Sequence, residues 1–343
     1  MVLQRRVQSV LDELVGSGAE TGLQVAVHHR GQPVVEAVAG VADSRTGRPV
    51  APDTLFFSFS TGKGASALIA HLLVARGLIG YGTRVADVWP GFGVRGKEAT
   101  TLRHVLTHTA GVPAMPDGLG PADLGDPERV ATAIAAAEPR WPPGARTGYH
   151  SYTFGFLVGE IARRLTGHSM GRLLHEWVAA PLGLPGELRF GVPPADLDRL
   201  AHLEDAAPPD QSAPWELRPT AGLGNDPALL TADVPSVGTF TARGLATMYA
   251  AILDGRLISA DQLARLSEVA FEGTDQVFGN RVRLGLGYPL PVLGWPGGGG
   301  SRAFAHPATG TSFALTKNRL VPDFGTAERL VQVVTEGLRG RVS

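Results

Sequence analysis

Phe57-Ser58-Phe59-Ser60-Thr61-Gly62-Lys63 is the stretch on which the reading of this chain turns. It sets a serine and a lysine three residues apart at the start of a mainly apolar run, Thr61 to Arg76, with Gly77 as its C-cap. Residues three apart on a helix share a face, so the Lys63 amine reaches the Ser60 hydroxyl. A serine hydroxyl is a weak nucleophile until a base takes its proton. Lysine serves as that base only when burial or a neighbouring cation lowers its pKa. Phe56, Phe57, Phe59, Ala65 and Leu68 supply apolar surroundings for such an amine. Placing Ser60 at a helix N-terminus adds exposed amides that favour developing negative charge. Taken alone, the same spacing also describes an N-cap serine followed by a solvated lysine.

Composition narrows the chemistry around this stretch. The chain has 343 residues, 31 Lys plus Arg against 32 Asp plus Glu, a net charge of -1 and no Cys. At ~150 residues per domain the length suggests two structural units. A hydrophobic share of 43% with 18% charged residues supports a packed core. Near-zero net charge removes the footprint of a nucleic-acid binder. Without cysteine there is no disulfide, thiolate zinc site or cysteine nucleophile. Lysine occurs only at Lys63, Lys97 and Lys317, which leaves 28 of the 31 basic residues as Arg. Arg keeps its proton in a protein whereas a desolvated Lys can lose it, so each lysine poses a question. Lys97 and Lys317 read as solvated surface residues.

Outward from the central stretch, Leu3, Val7, Val10, Leu11 and Leu14 have helical spacing. Gln8, Asp12 and Glu13 interrupt this segment, which excludes a signal peptide. No run approaches ~18 apolar residues, so the expectation is a cytoplasmic protein with no membrane partner. Gly22 to His29 and Pro33 to Val41 read as a hairpin around Arg30-Gly31-Gln32. Helices are expected over Val130 to Ala137, Phe154 to Leu165, Ala242 to Leu253 and Thr326 to Leu338, and strands over Val282 to Leu286, Arg302 to Ala305 and Thr311 to Thr316. Strands near both ends with helices between imply an α+β fold, an antiparallel sheet completed by both termini. Residues 1–84 and 236–343 then form the sheet domain and 85–235 a helical insertion, with the active site in the cleft between.

Three further motifs compete for attention. Gly167-His168-Ser169-Met170-Gly171 matches the G-x-S-x-G elbow, but helical spacing rather than a strand precedes it, so Ser169 reads as a helix N-cap. His104 and His108 stand at i, i+4, yet Val105 replaces the catalytic Glu of H-E-x-x-H and no third ligand follows, so they read as structural and no metal is expected. Gly297 to Gly300 lacks the Lys-Ser/Thr of a phosphate loop. Glycines there permit close backbone approach, which an oxyanion hole also requires.

Five segments in order resemble the serine β-lactamase and penicillin-binding-protein superfamily, specifically its class C β-lactamase-like esterases. They are Leu55 to Ile79, Leu102 to Val112, Gly148 to Gly155, Pro235 to Tyr249 and Gly285 to Asn318. The resemblance implies the β-lactamase/transpeptidase-like fold, a nucleophile at Ser60 and its lysine at Lys63. The Tyr149-His150-Ser151 triplet takes the place of the family's Y-x-N, with Tyr149 as a phenolate-like general base or its partner. That role needs a depressed tyrosine pKa, which nearby Lys63 would supply. Ser151 stands where lactamases carry an Asn that contacts the substrate. Trp295-Pro296-Gly297 takes the place of K-T-G, and Gly298 N–H then joins Ser60 N–H as an oxyanion hole. His306 becomes a surface turn residue.

A tryptophan in place of Lys or His removes the cation that recognises a penicillin carboxylate and supplies an apolar wall with one indole donor. The expected function is therefore a carboxylesterase working through a Ser60 acyl-enzyme on small or medium acyl esters, with Trp295, Gly297 and Ser151 at the substrate and no cofactor. A transacylase using the same nucleophile is the alternative. A β-lactamase, a D-Ala-D-Ala peptidase and a non-catalytic binding protein rank lower. The oligomeric state does not follow from the sequence.

Overall fold

Alternation in the first strand assigns Leu23, Val25 and Val27 to one face and Gln24 and Ala26 to the other. In the computed structural model, which describes residues 2–340, Gly22–His29 pairs antiparallel with Gln32–Asp43. Arg30 and Gly31 make the turn, with φ of 50° and 77°. The first strand's other edge pairs antiparallel with Thr311–Lys317, setting Val25 opposite Leu315. The sheet runs Leu293–Pro296, Arg302–His306, Thr311–Lys317, Gly22–His29, Gln32–Asp43, Arg48–Pro49. Both ends of the chain build it, as expected.

Each face then packs according to side-chain size. Leu23, Val25, Val27, Phe313 and Leu315 bury against Leu3, Val7 and Leu11 of the helix Val2–Gly16 and Leu330 and Val334 of the helix Gly325–Arg339. On the opposite face Ala26, Ala303 and Ala314 are small, which lets the helix Ala242–Leu253 lie close to the sheet. Gln24 Oε1 accepts from Ala242 N at 3.0 Å, fastening that helix to the first strand. The helix Gly62–Ala75 is buried from Gly62 through Leu73, the signature of a central helix rather than an amphipathic one. Two glycines permit the approach: a Cβ on Gly64 would lie 1.9 Å from Tyr249 Oη, and one on Gly62 would lie 2.4 Å from Val237 C.

Helices Pro127–Ala136, Thr153–Thr166, Ala242–Leu253 and Gly325–Arg339 lie where periodicity placed them. The strand Arg281–Leu284 exists, but it pairs with Phe271–Thr274 in a separate hairpin instead of the main sheet. Leu293–Pro296 is a sheet strand that the pattern did not reveal, because Leu-Gly-Trp-Pro carries no β-branched residue. Two-residue strands, Leu188–Arg189 and Glu204–Asp205, occur where no strand was expected, since so short a run has no readable period. Ser169 is a helix N-cap whose Oγ accepts from Arg172 N at 3.3 Å.

The surface reading of two lysines is corrected: Lys97 and Lys317 are fully buried. Lys97 Nζ donates to Val94 O at 3.1 Å and to Ala137 O, closing the C-terminus of the helix Pro127–Ala136. Lys317 Nζ meets Glu20 Oε1 at 2.5 Å with both side chains at 0% exposure, and Thr326 Oγ1 donates to the same oxygen at 2.6 Å. A compact ammonium on a four-carbon stem fits these closed sites. Removing one partner of a buried pair strands the other charge. Lys317→Met is therefore expected to cost about 3–5 kcal/mol in urea unfolding, and Glu20→Leu/Lys317→Met to recover most of it. Equal losses in the single and double variants would show that the pair is not what matters.

Candidate active site

Phe59–Thr61 forms a single 3-10 turn that runs directly into Gly62–Ala75. Ser60 thus lies one residue before the helix N-cap, Thr61, rather than being the cap itself. Phe59 has φ of 45°, a left-handed conformation that costs a non-glycine residue roughly 1–2 kcal/mol. Its ring is fixed edge-on to Phe57 at 4.9 Å. Strain of this kind survives only where surrounding packing holds it, and here it immediately precedes the nucleophile candidate.

Lys63 is 1% exposed. Its Nζ lies 3.1 Å from Ser60 Oγ and donates to Ser236 O at 3.3 Å. Burial drives its pKa well below 10.5. The Tyr149 ring, 4.8 Å from Nζ, opposes this by stabilising the cation. Cation–π contacts are worth about 0.5–2 kcal/mol, whereas full burial shifts a lysine by up to about 3–5 pH units, so desolvation wins. Burial thus favours the neutral form of the Lys63 amine.

Tyr149 Oη donates to Ser60 Oγ at 2.6 Å. The depressed tyrosine pKa expected from Lys63 is corrected here. Burial pushes the phenol above 10, the Asp275 charge adds to the rise, and only the Ser60 contact pulls it back. Burial thus moves the two neighbours in opposite directions, toward a neutral amine and a protonated phenol.

The tyrosine ring is enclosed by His108 at 5.6 Å, Trp295 at 5.5 Å and Phe278 at 5.3 Å. His108 Nδ1 accepts from His150 N at 2.9 Å, and His104 sits apart in a capping box with Thr101. The two histidines therefore face different partners. No cluster of three or more metal-ligating side chains occurs among the described residues. Trp295 lines the pocket as expected, but its indole N–H donates to Gly287 O at 2.7 Å and is already taken. Gly297 N–H donates to Ser301 O at 2.8 Å, and a Cβ there would lie 2.2 Å from Ser58 O. Gly297 thus packs against the residue that caps the Phe59–Thr61 turn and does not itself line the pocket. Gly298 and Ser151 line the pocket, and Ser151 Oγ donates to Glu216 O at 2.6 Å, tying down the following loop.

The cavity holds about 380 Å³. Phe59, Tyr149, Tyr152, Phe278, Leu284 and Trp295 give it apolar walls. Of the two Pro-rich and Gly-rich loops of the middle segment, Glu204 to Pro219 contributes Glu216 through Pro219 to its lining, and Pro113 to Pro127 contributes nothing. Among the lining residues that sequence reading did not place at the site are His108, read there as structural, and Arg218, Asp275 and Phe278. The segment Leu102 to Val112 carried a signal for His108. The other three arrive on loops with no pattern of their own.

With this geometry in place, the family can be stated. The Beta-lactamase family matches residues 7–336, and the chain belongs to it. Esterase/beta-lactamase LipL of Mycobacterium tuberculosis is 35% identical over 340 residues, covering 88% of this chain and 77% of that protein. Among solved structures, a family VIII carboxylesterase is 30% identical with a TM-score of 0.91 over 97% of each chain. A penicillin-binding protein homolog from Caulobacter crescentus is 32% identical with a TM-score of 0.85, covering 97% of this chain and 96% of that one.

A lysine whose folded pKa lies below 10.5 binds fewer protons folded than unfolded, so its burial penalises stability below that pH and the penalty fades as pH rises toward 10.5. Lys63→Met is accordingly expected to raise Tm at pH 7 by about 2 °C or more. The gain should shrink toward pH 10. A gain independent of pH would mean that Lys63 is not held neutral.

Proposed function

We propose that the chain is a carboxylesterase that works through a Ser60 acyl-enzyme. One observation carries the reading: Ser60 Oγ sits between a buried amine at 3.1 Å and a phenol donor at 2.6 Å. The Ser60 hydroxyl passes its proton to Lys63 Nζ as Oγ attacks the ester carbonyl carbon. Ser60 N–H and Gly298 N–H receive the oxyanion. As the tetrahedral species collapses, Tyr149 O–H protonates the departing alkoxide, and the proton held by Lys63 restores the phenol. Water then repeats the sequence on the acyl-enzyme, releasing the acid and returning Ser60.

The walls support a neutral ester as substrate. Trp295 stands where the lactamase pattern carries a cation, and among the described residues the lining holds one Arg, Arg218, together with two carboxylates, Glu216 and Asp275. The names of the relatives agree with this class, since both the LipL protein and the family VIII structure are esterases by name. No helix among the described residues is long and apolar enough to cross a membrane. A small-molecule ester in solution is the partner that follows.

Intact mass after treatment with a fluorophosphonate should show one adduct, absent in Ser60→Ala. Tyr149→Phe should lower kcat on a p-nitrophenyl ester by about 10²–10⁴-fold. The wild-type rate should climb with pH through the depressed Lys63 titration and fall only above 10, where Tyr149 loses its proton. A chromogenic cephalosporin turned over faster than every ester would overturn the substrate class. An added alcohol that captures most of the acyl group would make the protein a transacylase.

A further inference from the structure

On the face of the sheet that bears the terminal helices lies a second cavity, of about 670 Å³, sharing no lining residue with the Ser60 pocket. Its floor is apolar and recessed: Phe304 and Phe313 from two adjacent strands, stacked at 5.5 Å, and Val334 and Leu338 from the helix Gly325–Arg339. Its rim carries Arg30, Arg302 and Arg339, and among the described residues no acidic side chain lines it. This is a local excess of positive charge on a chain whose net charge is -1.

Arg302 is the informative member. It is half-buried, burial lowers its pKa, and Glu328 acts on it only through space. Its guanidinium lies 5.5 Å from the Phe304 ring centroid. Among the described residues none of the three arginines forms an ion pair, and of the three only Arg302 is drawn partly out of solvent. On the same wall His306, expected in a surface turn, instead ends the strand Arg302–His306, and among the described residues its buried Nδ1 has no hydrogen-bond partner. A guanidinium fork with open donors beside an apolar trough matches a carboxylate at the head of a hydrocarbon chain. The volume is that of an ordinary small-molecule site, about 300–1,000 Å³.

We propose that this cavity binds a long-chain carboxylate from solution, its head group on Arg302 and its chain along Phe304, Phe313, Val334 and Leu338. Charge complementarity selects the anion. The recessed floor selects a single flexible chain over a membrane surface or a second protein. The site is independent of the acyl-enzyme chemistry and stands whether or not Ser60 forms an adduct.

Calorimetric titration of the full chain with sodium dodecanoate below its micellar concentration tests this. One saturable site is expected, present equally in wild type and Ser60→Ala, at least tenfold weaker in Arg302→Gln and largely restored in Arg302→Lys. Should Arg302→Gln not fold, as judged by its thermal melt, the exposed pair Arg30→Gln/Arg339→Gln is expected to weaken binding in the same direction. Dodecyltrimethylammonium, with the same chain and the opposite charge, should not bind. Any of four results overturns the proposal: no saturable binding up to on the order of 1 mM, equal binding of the cation, affinity untouched by loss of the arginines, or binding that appears only in a chain ending at Gly340. Inhibition of ester turnover by dodecanoate, followed in parallel, reports the Ser60 pocket separately, so failure of one site is not read as failure of the other.

Discussion

A primary amine kept out of water beside a serine hydroxyl is the constraint on which the rest of this structure depends. An ammonium has no lone pair with which to accept a serine proton, so the base role proposed for Lys63 requires that the amine be dehydrated. Dehydrating it requires a helix that is apolar on every side. Gly62–Ala75 meets that demand, and glycines at its first turn admit Val237 and Tyr249 to contact distance. Ser236 offers the amine a carbonyl at 3.3 Å, which satisfies an N–H without stabilising charge as a carboxylate would. The same dryness pushes the Tyr149 phenol upward and keeps its proton in place for donation. One physical condition, low solvation, thus sets both protonation states.

The remaining lysines carry structural work of a related kind. Lys317 and Glu20 sit behind the glycine run, where a Cβ on Gly300 would come within 3.2 Å of Lys317 Nζ. Gly300 has φ of 102°, open to glycine and to little else. The turn that presents Gly298 to the pocket therefore rests on a buried ion pair joining the segment just before the first strand to the end of the strand Thr311–Lys317, with Thr326 of the terminal helix on the same carboxylate. Lys97 likewise closes a helix end from inside. In an arginine-rich chain all three lysines are buried, because an ammonium fits where a planar guanidinium does not.

Legibility followed periodicity. Long periodic elements such as Ala242–Leu253 and Thr311–Lys317 could be read to within a residue or two. Leu293–Pro296, with glycine and proline in four residues, had no period to read, though its place in the motif order was visible. At the site, Ser60 and Lys63 were legible as residue types at a spacing, whereas Tyr149 and Gly298 were legible only through the family resemblance. The direction of the Tyr149 shift was not, since a tyrosine near a lysine on paper says nothing about which of them loses more water. Likewise the Trp295 indole was counted as a free donor until Gly287 O was found 2.7 Å away.

What the sequence determined by itself was local and periodic: a serine one helical turn from a lysine, a hydrophobic hairpin at one end, strand patterns at the other, and a lack of cysteine and net charge. These follow from backbone geometry, which repeats every two or 3.6 residues and needs no distant partner. The tertiary structure alone decided which groups lose their water. Phe278 over Tyr149, Asp275 at the pocket, Arg302 without a carboxylate and Lys317 locked to Glu20 all depend on segments far apart in the chain. Desolvation is a property of the enclosing volume, and no spacing along a chain encodes it.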